Sequence, residues 1–336
     1  MNLVMLPGAE DVKQGSAEWL ANRRRGIGAS EAAALLNVHP FTSLYAIYLD
    51  KRGEGEPVVP NAAMEWGTLL EEPVAQMFER RVQPDAIWQP KGIVAHPEHE
   101  WMLLSPDRLI TVDGHTEYLE IKTSGQSDEW GAEGSDEIPL HAAAQVQWAL
   151  EVLDLDAGRV AVLLGDHGFD MRTFRIGRDR ELGAELIRRG GDFWYGNVLP
   201  GIPPALDGSK ATAEALAHRY AVATDIEIVA GEEEAHRIRT YLRLKEQLKE
   251  ATESLDALGN DIKARMGDAT RLIGPDVKVT WSNVRGRTSV NWERVVGDLA
   301  TQLQLAGIPV DLEALKAEHS SVADGYRRFS AAWRKA

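Results

Sequence analysis

"SPDRLITVDGHTEYLEIKT", residues 105–123, is the stretch that decides how this chain folds. Asp113-Gly114 between two strand-like runs is a strong hairpin signal. Side chains alternate along a strand, so Leu119 and Ile121 share one face while Tyr118, Glu120 and Lys122 share the other. The apolar pair suits a core. The carboxylate and ammonium on the opposite face need another reason, and Asp107, directly after a Pro on the neighbouring strand, joins them.

Two carboxylates held close together repel unless a cation sits between them. Hard oxygen ligands with room for water suit Mg2+ or Mn2+. A Lys beside such an ion can orient a water or stabilise negative charge on a transferring phosphoryl group. Metal-dependent phosphodiester hydrolysis would account for the odd face. The plainer reading is an exposed hairpin bearing a salt-bridged Glu-x-Lys, which is very common.

Composition narrows the field. The 336 residues contain no cysteine, which excludes disulfides and Cys-ligated zinc or iron–sulfur sites. No stretch approaches the roughly 20 apolar residues of a membrane span. The first residues turn acidic too soon for a secretory signal, so a cytoplasmic protein without a membrane partner is expected. A net charge of −15 is the wrong sign for a nucleic-acid binder, although a local patch such as "NRRRG" at 22–26 can still bind an anion and a metal would offset clustered carboxylates.

Around the hairpin, helices are expected from Ser16 to a break at Gly26, from a Ser30 cap onward, in "SLYAIYLDKRG" and in 62–81, the last kinked or restarted near Glu71–Glu72 by Pro73. Short strands follow in 86–123, then a long polar loop at 123–139, then helix, two strands and helix to about 199. This is one α+β unit. "PGIPPALDGSK" at 200–210 reads as a linker. Beyond it Leu244, Leu248, Ala251, Leu255, Leu258 and Ile262 alternate spacings of four and three, a short coiled-coil seam, followed by a small strand pair and terminal helices. The division expected is 1–205 and 206–336.

"GIGASE", "EWGTLLEEP", "SPDRL", "LEIKT" and "AQVQ" stand in this order, and the set resembles the lambda-exonuclease and YqaJ-like viral recombinases of the PD-(D/E)XK nuclease superfamily. The resemblance covers about residues 15–200. It implies a restriction-endonuclease-like core, a central mixed sheet flanked by helices, with a mainly helical C-terminal appendage. It also implies an exonuclease that degrades duplex DNA from 5′ ends with two Mg2+ ions, leaving 3′ overhangs for phage-type recombination in a bacterial host's cytoplasm.

Carried onto this sequence, the metal ligands are Glu71 (Glu72 being the alternative), Asp107, Glu120 and the carbonyl of Ile121. Lys122 would position the attacking water, and Gln145 would reach the active site or the DNA backbone. Arg23, or Arg24 or Arg25 in its place, would hold a 5′-phosphate with Ser30. Ser30 also reads by itself as a phosphate-binding helix cap. The appendage could oligomerise the protein or dock a single-strand annealing partner. The rivals are an endonuclease or single-strand nuclease on the same core, and a non-catalytic module that binds DNA ends or protein. An iron–sulfur-bearing nuclease is disfavoured by the lack of cysteine.

Overall fold

The computed structural model describes residues 3–13, 15–55, 60–166, 168–283, 289 and 291–320. Ser16 accepts a hydrogen bond from the Trp19 amide and so caps α1 (Ala17–Arg23). β1 (Ile27–Gly28) follows at once, and Gly26 must be glycine because a Cβ there would meet the Trp101 carbonyl at 2.3 Å. A 3-10 turn, Ala29–Glu31, leads into α2 (Ala32–Leu35). The expected Ser30 cap is therefore not formed. Gly28 holds the cap position, and its amide already donates to Glu31 Oε2 at 2.7 Å, which removes that N–H from the reach of an anion.

α3 (Leu44–Lys51) starts at the Ser43 cap and stops before Gly53, whose φ is 68°. α4 (Ala62–Val82) runs through Pro73 without the expected restart at Glu71–Glu72. Pro73 removes only the bond to the Leu69 carbonyl, and Leu69 is 66% exposed, so water can satisfy that carbonyl.

The strands are β2 (Ala86–Trp88), β3 (Val94–Ala95), β4 (Met102–Leu104), β5 (Arg108–Val112) and β6 (His115–Ser124), then β7 (Ala157–Leu164) and β8 (Asp170–Gly177). Asp113 and Gly114 both have positive φ, 51° and 75°, as a type I′ hairpin demands. The main sheet has the order β2-β5-β6-β7-β8, and a second small sheet has the order β1-β4-β3. In the main sheet only β6 and β7 are parallel. A parallel pair needs a crossover, which α5 (Leu140–Leu153) supplies.

Both faces of the sheet are covered. Leu119, Ile121, Ala161 and Met171 pack on Val74, Ala75 and Phe78 of α4. Tyr118, Val160, Val162 and Phe174 pack toward Val146 and Trp148 of α5 and Leu186 of α6 (Arg180–Phe193). The architecture is α+β, a mixed sheet between helices. The polar stretch before α5 covers the β8 edge: Trp130 packs on Phe174, and Arg172 donates to the carbonyls of Trp130 and Gly131.

The chain divides into two compact units, Met1–Ala221 and Val222–Ala336. The first reaches past the Pro-rich stretch at 200–210 because α7 (Lys210–Arg219) packs on α3. Thr212 donates to the Ser43 hydroxyl at 2.8 Å, and Arg219 pairs with Glu54 at 2.6 Å. The second contains α8 (Glu232–Met266), the antiparallel pair β9 (Arg271–Ile273) and β10 (Lys278–Thr280), α9 (Trp292–Leu305) and α10 (Leu312–Glu318). Leu244, Leu248, Leu255 and Leu258 of the heptad seam are exposed along α8.

Candidate active site

Strand alternation sends Glu120 and Lys122 to the side of the sheet that α5 covers, so the charged pair is interior. Glu120 is 2% exposed. An exposed hairpin is thereby ruled out. Lys122 Nζ lies 2.6 Å from Glu120 Oε1 and donates to Gln145 Oε1 at 2.8 Å. Gln145 Nε2 closes the triangle by donating to Glu120 Oε1 at 2.6 Å. The Tyr118 hydroxyl donates to Glu120 Oε2. Asp107, just ahead of β5, accepts the Ile121 amide on Oδ2 at 2.9 Å.

Burial pushes the Asp107 carboxyl well above the usual range, and the charges of Glu120 and Glu71 push it further than Lys122 and the Ile121 amide pull it back. For Lys122, burial favours the neutral amine, but Glu120 and Asp107 outweigh it and hold the pKa above its ordinary value. Lys122 is thus a fixed cation. Burial and then Glu120 raise the Tyr118 phenol well above its usual value, which keeps it a donor.

Glu71 stands apart from this cluster. Its Oε1 accepts from Arg108 NH1 at 3.0 Å, while Arg108 NH2 donates to Glu72 Oε2 at 2.7 Å. Among the described residues, no group of three or more His, Asp or Glu is assembled to hold a metal. Asp107 and Glu120 nonetheless fit a divalent cation. Glu120 is buried and Asp107 half-buried; they are neighbouring oxygen donors whose mutual repulsion a cation would relieve, and Glu71 adds its charge to theirs.

A second group adjoins the first. Arg23 NH2 donates to Ser30 Oγ at 3.0 Å, lies 3.4 Å from Glu31 and places its guanidinium 4.9 Å over the Trp19 ring. Trp19 Nε1 in turn donates to Ser105 Oγ at 3.3 Å, which links α1 to the turn that carries Asp107. Lys51, its side chain fully buried, pairs with Glu31 at 2.8 Å. Burial pushes the Glu31 carboxyl up, yet Lys51 and Arg23, with hydrogen bonds from Lys51 and Gly28, hold it below the ordinary value. His39 Nδ1 accepts the amides of Phe41 and Thr42, so its proton is assigned to Nε2, which faces the Ser30 carbonyl at 3.1 Å.

A cavity of about 110 Å3 joins the two groups, with Trp19, Arg23, Ser30, Asp107 and Gln145 in its lining. Only one Arg of "NRRRG" lines it. Arg24 pairs with Asp50 at 3.1 Å and Arg25 donates to the Pro7 carbonyl at 2.7 Å. The sequence reading missed Trp19, Lys51, Arg108 and the pairing role of Glu31. Lys51, a charge closing the mostly apolar "LYAIYLDK", was the one visible signal. His96 Nδ1 accepts the Glu98 and His99 amides, which makes a turn of this segment.

The YqaJ-like viral recombinase domain matches residues 18–158. The protein YqaJ of Bacillus subtilis (strain 168) is 37% identical over 270 residues, covering 78% of this chain and 81% of that one. A protein of Acanthamoeba polyphaga mimivirus is 27% identical over 154 residues, 43% of this chain and 28% of its own. Among solved structures, the alkaline exonuclease LHK-Exo from Laribacter hongkongensis superposes with a TM-score of 0.43 at 21% identity, over 54% of this chain and 92% of that one. The match to B. subtilis YqaJ runs through most of both chains, and this protein belongs to the YqaJ-like viral recombinase family.

Proposed function

We propose that the chain is a Mg2+-dependent deoxyribonuclease that digests duplex DNA from 5′ ends and leaves 3′ overhangs for recombination. One observation carries the reading: a single cavity is lined by both Asp107 and Gln145 and by the Arg23–Ser30 pair. A phosphodiester hydrolase needs acidic oxygens at the scissile phosphate, and an end-directed one also needs a cationic contact one nucleotide away. The family's recombination role agrees with such a product.

Asp107 and Glu120 would hold the cation, with Glu71 as a further ligand and the Ile121 carbonyl beside them. When bound, the cation (two ions in the full site) would polarise the phosphoryl group and would supply a nucleophile at neutral pH. The remaining work falls to the protein. Lys122, protonated and fixed by Glu120 and Gln145, orients the attacking water and offsets negative charge developing on the phosphate. Tyr118 holds the Glu120 carboxylate in place. Arg23 and Ser30 receive the terminal phosphate, and duplex DNA ends are the substrate.

The test is digestion of linear, nicked and closed circular duplexes with and without Mg2+, on ends bearing or lacking a 5′-phosphate. Mg2+-dependent loss of linear DNA alone, faster on phosphorylated ends, is the expected result. Cutting of closed circles would replace the exonuclease by an endonuclease, and no cutting of any substrate would leave a binding module.

A further inference from the structure

Consecutive residues of a helix point about 100° apart and do not normally share a partner. Glu71 and Glu72 of α4 nonetheless both turn to one guanidinium, that of Arg108. Arg108 follows Asp107 in the chain, lies opposite Leu119 on the face of β6 that α4 covers, and is 8% exposed at its side chain. It also donates to the Asp107 carbonyl. A buried guanidinium stripped of its carboxylates is destabilising. One carboxylate would meet that need; this protein supplies two.

The two are not equivalent. Glu72 is 63% exposed and is held at its other oxygen by Gln76 at 3.0 Å. Glu71 is 23% exposed, and its charge is felt at Asp107. Glu71 is the acid that the metal-site reading asks to serve a cation, and in this structure it is engaged by Arg108.

We propose that Arg108 competes with the cation for Glu71 and has a reserve partner: it engages Glu71 before a cation arrives and rests on Glu72 when a divalent cation takes Glu71. The inference rests on the metal-site reading of Asp107 and Glu120. It assigns Glu72 a role in metal affinity without making it a ligand. Without Glu72, a cation that takes Glu71 leaves Arg108 buried with no carboxylate, so binding weakens.

The experiment is Mn2+ binding to the full chain, followed by the EPR signal of the free ion, in wild type, Glu71→Gln, Glu72→Gln, Arg108→Met and the Arg108→Met/Glu72→Gln double variant. Glu72→Gln is expected to weaken Mn2+ by about fivefold. Glu71→Gln should weaken it at least as much. Arg108→Met should tighten it, because a competing cation is gone, and in that background Glu72→Gln should have no further effect. If Arg108→Met does not fold, Arg108→Lys asks the same question, since an ammonium lacks the fork that spans two carboxylates. Unchanged Mn2+ affinity in Glu72→Gln, or the same loss with and without Arg108, overturns the proposal. Asp107→Ala is the separate control. If it leaves Mn2+ binding intact, the metal-site reading itself has failed and takes this inference with it.

Discussion

Asp107 is tied to Ile121 by a 2.9 Å hydrogen bond from the Ile121 amide to its carboxylate, across 14 residues of chain. The bond fixes the acid at the strand end, beside Glu120, before any cation arrives. Asp107→Asn can keep this bond through its amide oxygen while losing the charge. It is therefore expected to stay folded and to lose cleavage by about a thousandfold. Melting temperature and cleavage rate measured on the same preparation check both halves. Activity within tenfold of wild type would remove Asp107 from the metal site.

Metal binding should be linked to protons. Asp107 is pushed above the ordinary carboxylate value by burial and by its acidic neighbours, so at pH values up to its raised pKa a cation displaces a proton from it. Without metal, a raised carboxyl costs stability as pH rises from the ordinary value of 3.8 through the folded value, and bound Mg2+ should restore it. Calorimetry in two buffers of different ionisation enthalpy should show proton release, with Mg2+ affinity increasing with pH. Identical heats in both buffers would mean that no proton leaves.

Glu31 behaves in the opposite sense. Its carboxyl is held below the ordinary value of 4.5, so its contribution is fully present above that pH and lost as pH falls through the folded value. Glu31→Gln also leaves the fully buried Lys51 without its carboxylate at 2.8 Å, at a cost of about 3 kcal/mol at neutral pH. Urea unfolding at a series of pH values should show that the gap between wild type and variant closes in acid. A gap constant across that range would mean that Glu31 is not the titrating partner.

Much of this site could be read from local pattern. Strand alternation and the Asp113-Gly114 turn place Glu120, Lys122 and Asp107 together, because hairpin register needs no knowledge of the rest of the chain. The partners of Arg108 and Lys51 were not legible, since they lie 36 or 37 and 20 residues away on other elements. The Ser30 helix cap was misread for a related reason. Glu31, three residues after Gly28, takes the amide that a cap would leave free, and that choice is stabilised by Lys51 and Arg23 from outside the segment.

The boundary after α7 can be tested directly. Truncation after Ala221 is expected to leave a cooperatively folding first unit. Truncation at 205 removes α7 with its Thr212–Ser43 and Arg219–Glu54 contacts and should lower the melting temperature by several degrees, taking the loss as about 1–2 kcal/mol. Equal melting temperatures for the two would return the boundary to the Pro-rich stretch.

End recognition has a test in which substrate chemistry is the control. A terminal phosphate carries more negative charge than a phosphodiester within the strand, and Arg23 is the member of "NRRRG" that lines the cavity shared with Asp107. The Ser30 hydroxyl accepts from Arg23 at 3.0 Å, which leaves its own proton free to donate to a phosphate oxygen. A charge-assisted hydrogen bond is worth about 1.5–3 kcal/mol, so losing one should slow digestion of 5′-phosphorylated ends by roughly one to two orders of magnitude. Ends with a 5′-hydroxyl never make the contact and should be slowed far less. Arg23→Ala also takes a partner from Glu31, which makes Ser30→Ala the cleaner variant. Rates on both kinds of end, compared within each variant, decide the matter. Equal slowing on both would assign Arg23 and Ser30 to the support of Glu31 and the turn around it rather than to the phosphate.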